Sequence, residues 1–318
     1  MLDRIQYGLE EVRKNGRKGK WWKKRFISRF LGPAQQKMTH DFGANYVEED
    51  WDNLIILDAC RADMFEETFN VKEEFDSYRT VESVGSSSQE WLDKTFSNRE
   101  MPDTVYISGN PWVSKIVPNN FYKMVNLWSK YSEVKESELE NFKKLEDTSE
   151  DRNSTIYPES VNSEARDAFN KSSDKRYIIH YFQPHSPIIV DENGQLIKPP
   201  ENLHPETISE SDDVSRENVW NRYKDNLKYV YGKADEQAQF LGGKTVFTSD
   251  HGELFGDETS LPFGVYGHPA NLRTEKLNKV PWAVKNYGDR RSIRSEETNE
   301  VEVDEEAINS HLEDLGYK

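Results

Sequence analysis

The chain has 318 residues, enough for one large α/β domain or two small ones. A hydrophobic content of 35%, with 8 Trp, 15 Tyr and 15 Phe, indicates a folded core and excludes a disordered chain. The net charge of −16 disfavours nucleic-acid binding, and the single cysteine, Cys60, excludes intramolecular disulfides and cysteine-ligated metal clusters.

The N-terminal segment is basic, whereas the rest of the chain is acidic. Residues 1–37 contain eleven Lys or Arg and three Asp or Glu, so their net charge is about +8 and that of the remainder is about −24. Large aromatic residues lie among these cations: Trp21, Trp22, Phe26 and Phe30. One interpretation is that this segment binds an anionic membrane surface or a polyanion. The other is a solvated helix that packs Trp21 and Trp22 onto its own domain.

No long apolar run is visible in the sequence. The first eleven residues lack the apolar core of a secretory signal, and no stretch approaches the roughly 18 apolar residues of a membrane span. We therefore expect a cytoplasmic protein, peripheral to the membrane if residues 1–37 bind lipid. Because no repeat or clean linker is evident, we expect a basic extension over residues 1–40 and one α/β domain over 41–318.

Short apolar runs alternate with helical patterns, which is typical of a parallel sheet covered on both faces. The predicted strands are Asn53–Asp58, Thr104–Ser108, Arg176–Phe182, Thr245–Ser249 and Val280–Val284. A spacing of three and four predicts one long helix, with Gly242 and Gly243 at its end. Its apolar face consists of Trp220, Tyr223, Leu227, Val230, Ala234 and Ala238. Polar segments 136–174 and 191–216 are predicted loops, and Ile308, Leu312 and Leu315 predict a short C-terminal helix.

Asp58 ends one predicted strand and Asp250 follows another, at the edge where ligands bind in open α/β sheets. Asp58 can hold a cation, although capping of the next helix is a more common role for such an aspartate. Asp250 and His251 offer a hard oxygen and an imidazole nitrogen side by side, and Gly252 allows a close turn. An adjacent Asp–His pair favours a metal site over a structural role.

A run of serines precedes a predicted helix. Hydroxyls of Ser86, Ser87 and Ser88 at a helix N-terminus are near backbone N–H groups and the positive end of the dipole, which favour an alkoxide or a bound anion. Ser87 and Glu90 also match a capping box. The local pattern leaves both roles open.

Two histidines lie in turns framed by Pro and Gly. His185 is flanked by Pro184 and Pro187, and His268 lies between Gly267 and Pro269. Such histidines can donate a proton to an anionic oxygen or a leaving group. One loop histidine usually has no such role, but two beside an Asp–His pair strengthen the interpretation as an active site.

Taken in order, these motifs resemble the sulfatase family within the alkaline-phosphatase-like superfamily. The resemblance is carried by residues 53–63, by the histidine loop 182–187, and by residues 247–253 with the Gly267–Pro269 turn. It covers about residues 50–318. It implies a three-layer α/β/α fold with a mostly parallel central sheet.

The resemblance also implies one divalent metal, held by Asp58, Ser87, Asp250 and His251. The family's nucleophile stands two residues before a proline, and Gln89 occupies that position, which favours Ser87 over Ser86 or Ser88. Oxygen-dominated ligation favours Mn²⁺, Mg²⁺ or Ca²⁺ over Zn²⁺. No Asp-x-x-x-His motif for a second metal is found.

The remaining roles concern the substrate. His185 or His268 is expected to protonate the leaving oxygen, and Arg61 and His185 to bind an anionic oxygen of the ester. The alternative for Arg61 is an ion pair with Asp63.

The chain departs from true sulfatases at the nucleophile. Those enzymes convert Cys or Ser in a Cys/Ser-x-Pro-x-Arg motif to formylglycine, and residues 87–91 contain neither the proline nor the arginine. We therefore expect no formylglycine, and an unmodified serine suits phosphoryl transfer, as in the related phosphoglycerol transferases. The predicted function is a hydrolase or transferase of a phosphate or sulfate ester, borne on a glycan or lipid. The alternatives are a catalytically inactive sulfatase-like binding protein and a membrane-surface adaptor.

Overall fold

The computed structural model describes residues 19–27, 31, 43–127, 155–197, 203–209, 211, 213–259 and 261–296. The strands are β1 (Asn53–Asp58), β2 (Ser77–Glu82), β3 (Met101–Ser108), β4 (Phe121–Asn126), β5 (Arg176–Pro184), β6 (Gly243–Thr248), β7 (Leu254–Asp257), β8 (Val265–Gly267) and β9 (Lys279–Tyr287). The α-helices are α1 (Gly19–Phe26), α2 (Ala62–Thr68), α3 (Val71–Glu74), α4 (Ser88–Phe96), α5 (Trp112–Ile116), α6 (Pro158–Lys171), α7 (Arg216–Leu241) and α8 (Glu275–Asn278).

Seven strands form one sheet in the order β2-β9-β6-β1-β5-β3-β4. The central strand β1 pairs in parallel with β5 and β6, and β3 pairs in parallel with β4 and β5. Only β9 runs antiparallel to its neighbours β2 and β6. The predicted class, a mostly parallel sheet between helices, is confirmed. The strands β7 and β8 form a separate hairpin.

Both faces of the sheet are covered by apolar cores. All six residues of β1 are buried, and they alternate between the faces because successive side chains of a strand point in opposite directions. Ile55 and Leu57 join the core beneath α6 and α7, whereas Leu54 and Ile56 join the core beneath α4 and α5. The six apolar residues predicted for the long helix are all buried on α7, which ends at Gly242 with a φ of 69°.

Some elements differ from the sequence prediction. The segment 136–174, predicted as a loop, contains α6, which buries Val161, Ala165 and Ala168 on one side. The segment 191–216 contains a short 3-10 helix, Pro205–Ser209. Strand β2 was not predicted because it lies at the sheet edge, where its residues are half-buried or exposed and form no buried apolar row. The predicted C-terminal helix with Ile308 and the boundary between residues 40 and 41 lie outside the described residues.

Helix α1 adjoins a third, smaller core. Ile27, directly after α1, is buried with Leu254, Val265, Leu272 and Leu277, and Leu31 packs against them. Trp22 on α1 is 49% exposed, and the side chain of Trp21 lies outside the described part of the chain. Among the described residues, no helix has the length and apolarity needed to cross a membrane.

Candidate active site and metal centre

Polar side chains gather where neighbouring parallel strands end. Asp58 is the last residue of β1, His185 follows β5, and Asp250 and His251 lie just beyond β6. Because β1 lies between β5 and β6 in the sheet, Asp58 stands in the middle of this edge. This is the crevice where open α/β sheets bind ligands.

Asp58, Asp250 and His251 form a buried cluster in which one ligand atom from each lies within 4.8 Å of the others. The Nε2 atom of His251 is 3.4 Å from Oδ2 of Asp250 and 3.7 Å from Oδ1 of Asp58. A side chain at Gly252 would collide with the chain, because a Cβ there would lie 2.1 Å from the carbonyl oxygen of Lys276. The structure thus brings together three of the four residues predicted to hold a metal.

The chemistry of this cluster fits a divalent cation. Oδ1 of Asp58 and Oδ2 of Asp250 are buried without a hydrogen-bond partner, an arrangement that is costly unless a cation balances it. Nδ1 of His251 lies 2.8 Å from the carbonyl oxygen of Gly252, which can only accept. Nδ1 therefore carries the proton, and Nε2 presents the lone pair that binds metals.

The serine hydroxyl at this cluster belongs to Ser88. Its Oγ atom lies 3.2 Å from Nε2 of His251 and 3.4 Å from Oδ2 of Asp58. Ser88 is also the first residue of α4, where backbone N–H groups and the helix dipole favour negative charge. The hydroxyl is therefore placed to become an alkoxide beside a cation.

Ser87 and Ser86 point elsewhere. Ser87 is the N-cap of α4, and its oxygen accepts the N–H of Glu90 at 3.4 Å. The Ser86 hydroxyl lies 3.0 Å from two acceptors, Oε2 of Glu90 and the carbonyl oxygen of Pro269, and donates its proton to one of them. Of the three serines, the structure therefore places Ser88, and not the predicted Ser87, beside Asp58 and His251.

A further histidine, His180, lies behind Asp58. Its Nε2 is 3.2 Å from Oδ2 of Asp58, and its Nδ1 is 2.9 Å from the Tyr106 hydroxyl. Burial raises the pKa of Tyr106 well above its usual value, so the phenol keeps its proton and donates it to Nδ1. His180 then donates from Nε2 to Asp58. Burial alone would raise the pKa of Asp58, but His180 and nearby histidines lower it below its ordinary value.

Asn110 joins the serine to the metal ligands. Its Nδ2 donates to Oδ2 of Asp58 at 2.5 Å and to Oγ of Ser88 at 3.0 Å. Sequence reasoning missed both Asn110 and His180. A signal for Asn110 was available, since it lies in a turn directly after β3 ends at Ser108, at the same edge of the sheet.

His185, Glu253 and His268 form a second cluster, whose ligand atoms also lie within 4.8 Å of one another. Nε2 of His185 is 3.1 Å from Nε2 of His268 and 3.9 Å from Oε2 of Glu253. Burial, and then the charges of Glu206 and Asp58, raise the pKa of Glu253 well above its usual value.

This second cluster adjoins the first: the ring centres of His251 and His268 are 4.5 Å apart. The two predicted histidines therefore meet at the site, together with Glu253, which was not assigned a role from the sequence. The trio fits either an oxygen of an anionic substrate or a second cation. The sequence predicted one metal only.

Arg61 is buried and makes structural hydrogen bonds and ion pairs. Its guanidinium donates to both carboxylate oxygens of Asp63, to Asp257 at 2.8 Å and to the carbonyl oxygen of Glu253 at 3.1 Å. It lies 4.7 Å from the centre of the Trp220 ring and is 1% exposed. Of the two roles predicted for Arg61, the ion pair with Asp63 is the one present in the structure.

Glu90 connects two loops of the site. Its Oε2 accepts the backbone N–H groups of Ser86 and Asn271, each at 3.0 Å, and its Oε1 accepts from Arg273 at 2.8 Å. The first loop leads into α4, and the second follows β8 and His268. One buried carboxylate therefore fixes the separation of the two loops.

No protein-family model matches the sequence, and no curated protein matches it. The chain is similar to solved structures, and one of them shares its fold. The integral membrane protein lipooligosaccharide phosphoethanolamine transferase A from Neisseria meningitidis is 13% identical with a TM-score of 0.51, over 89% of this chain and 59% of that chain. The phosphonate monoester hydrolase of Agrobacterium radiobacter is 11% identical with a TM-score of 0.44, over 74% and 68%. A protein of the alkaline phosphatase superfamily from Vibrio parahaemolyticus is 13% identical with a TM-score of 0.38, over 79% and 63%.

The chain therefore shares the fold of the membrane transferase, a mostly parallel sheet between helices, as its motifs predicted. It spans about three fifths of the length of the membrane transferase. Identities this low establish the fold alone, so the activity has to be argued from the site.

Proposed function

We propose that the chain is a metal-dependent enzyme that transfers or hydrolyses a phosphate ester with Ser88 as its nucleophile. The observation that carries the proposal is the contact of the Ser88 hydroxyl with Asp58 and His251, at the start of a helix. The absence of the formylglycine motif favours a phosphate over a sulfate ester. Asp58, Asp250 and His251 would hold the cation, with Ser88 as a further ligand.

A bound divalent cation lowers the pKa of a ligating hydroxyl and neutralises charge on the ester oxygens. Asn110 and the N-terminus of α4 place and stabilise Oγ of Ser88 for in-line attack. The bond from Oγ to phosphorus forms as the bond from phosphorus to the leaving oxygen breaks. Water or an acceptor hydroxyl then attacks the seryl-phosphate and releases the serine.

His185 or His268 would donate the proton to the leaving oxygen, as the motifs predicted. Nδ1 of His185 lies 2.7 Å from the carbonyl oxygen of Ser186, so Nε2 is the atom of His185 that faces the crevice. That atom is 3.1 Å from Nε2 of His268, so one proton is shared between the two rings and a second proton on the pair would be the one given to the leaving oxygen.

The test is Asp250→Ala, assayed with nitrophenyl esters of phosphate, phosphodiester and sulfate and with Mn²⁺, Mg²⁺, Ca²⁺ and Zn²⁺. We expect loss of metal binding and of metal-dependent turnover, because Asp250 supplies one of the two unpaired carboxylate oxygens. The control Asp93→Ala changes an exposed carboxylate of α4 and should behave as the unchanged protein. Full activity of Asp250→Ala with metal still bound would refute the proposal. Wild-type protein that binds metal but cleaves no ester would support the inactive binding protein instead.

Replacing His180 with alanine is expected to weaken metal binding by about 10–100-fold, the usual effect of removing a group that orients a ligand. The reason is the loss of the N–H group that holds Asp58. Isothermal titration calorimetry measures this without an activity assay. Tyr106→Phe should produce a smaller loss, since it removes only the donor that fixes the His180 tautomer. An unchanged affinity in His180→Ala would contradict this role.

Other predictions remain predictions. They are the cytoplasmic location, the division into residues 1–40 and 41–318, the choice of cation, and a glycan- or lipid-borne substrate. The ester and metal panel addresses the cation directly, because each ion is tested with the same protein.

A further inference from the structure

We propose that α1 binds the surface of an anionic membrane and holds the candidate active site beside it. The inference adds a partner to the proposed function and rests on that function only for the statement that the membrane carries the substrate. Three observations support it: the charge of α1, the exposure of Trp22 and Phe26, and the attachment of α1 to the hairpin of the site.

The charge of α1 is concentrated and of one sign. The helix Gly19–Phe26 has the sequence GKWWKKRF, with four Lys or Arg and no acidic residue. The rest of the chain beyond residue 37 is strongly acidic, so these cations are a local exception. Each Lys or Arg near an anionic bilayer adds to the attraction, and clusters of four or more are typical of lipid-binding segments.

Two aromatic residues of α1 are half exposed. Trp22 and Phe26 are 49% and 50% exposed, and their spacing of four places them on one side of the helix. Among the described residues, the other exposed large hydrophobic side chain is Phe240, on α7. Trp and Phe beside Lys and Arg are typical of helices that lie in the membrane interface. Attraction to a polyanion would need only the cations.

The attachment of α1 connects the membrane to the site. Ile27 is 2% exposed and is buried against Leu254 and Leu272. Leu254 follows Glu253 in the chain, and Leu272 lies four residues after His268, so the same hairpin and loop carry the second cluster. A bilayer bound by α1 is therefore close to the crevice, and an ester on a lipid headgroup or lipid-linked glycan is the substrate within reach.

The experiment is co-sedimentation of the 318-residue chain with vesicles. We expect binding to vesicles of phosphatidylglycerol with phosphatidylcholine and none to phosphatidylcholine alone. Trp22→Ser with Phe26→Ser should weaken binding by at least about tenfold, because apolar area is no longer removed from water. Lys23→Ser with Lys24→Ser should weaken it roughly 25-fold at low salt, a factor of about five for each cation. Phe240→Ser is the matched control and should bind as the unchanged protein.

Several results would overturn the inference. They are equal binding to uncharged vesicles, full binding by the Trp22 and Phe26 double variant, and preferential binding of RNA that is insensitive to that variant. The last result would identify a polyanion site instead. Vesicle binding and turnover of a soluble nitrophenyl ester are measured separately. Asp250→Ala should still bind vesicles, so failure of the proposed chemistry and failure of membrane binding give different results.

Discussion

Replacing Ser88 with alanine is expected to lower kcat for ester turnover by at least about a thousandfold, as loss of a nucleophile does in other enzymes. The Oγ atom of Ser88 is the group in contact with His251, Asp58 and Asn110. Alanine removes this atom and has a higher helix propensity than serine, so the substitution does not weaken α4. Metal affinity should fall much less, because Asp58, Asp250 and His251 remain. Steady-state kinetics and calorimetry on the same sample measure both effects.

The neighbouring serine is the matched control. Ser87→Ala removes the N-cap of α4 and is expected to cost about 0.5–2 kcal/mol of folding free energy, with kcat largely retained. Ser87 and Ser88 are adjacent, equally polar and both buried, so general damage to the loop would affect both variants alike. The opposite ranking of the two kcat values would return the nucleophile to Ser87.

Replacing Arg61 with alanine is expected to lower the free energy of unfolding by about 3–5 kcal/mol, the usual effect of breaking a buried ion pair. The guanidinium lies between the carboxylates of Asp63 and Asp257 and contacts the Trp220 ring. Its removal leaves two carboxylates without their buried cation. The pKa of Asp63 is now lowered to about 2 because the hydrogen bonds and charge of Arg61 and Lys276 outweigh the effect of burial. Urea unfolding followed by circular dichroism measures the change.

Arg79→Ala is the control for Arg61. Arg79 pairs with Glu49, but its side chain is 53% exposed, and such surface pairs are worth about 0–1 kcal/mol. We expect little change in its unfolding midpoint. An Arg61→Ala protein of normal stability with a raised KM would restore the predicted role of Arg61 in binding substrate.

The fold was predictable where buried residues recur at a regular spacing along the sequence. The apolar residues of α7 recur every three or four positions, and β1 is buried on both faces, so both elements follow from the sequence. Strand β2 lies at the sheet edge and mixes charged with apolar residues, which leaves no clear alternation. The helix α6 was not predicted because its buried face is a narrow stripe of small apolar residues among many polar ones.

The site was predictable to the extent that strand ends define it. Asp58, Asp250 and His251 follow apolar strands, and the sheet order brings them together. The choice between Ser87 and Ser88 depends on the residue at which α4 begins, which a pattern of similar serines does not fix. His180 was missed because it lies within an apolar strand. Nothing in the neighbouring sequence distinguishes a histidine that supports a metal site from one that is buried in the core.

The carboxylate of Glu90 couples the positions of the two loops that border the crevice. It holds the approach to α4 on one side and Asn271 and Arg273 on the other. A substrate that displaces the loop behind His268 must therefore also pull on the segment that leads into Ser88. In the proposed mechanism, Glu90 therefore sets the distance between the serine that attacks the ester and the histidine that serves the leaving oxygen.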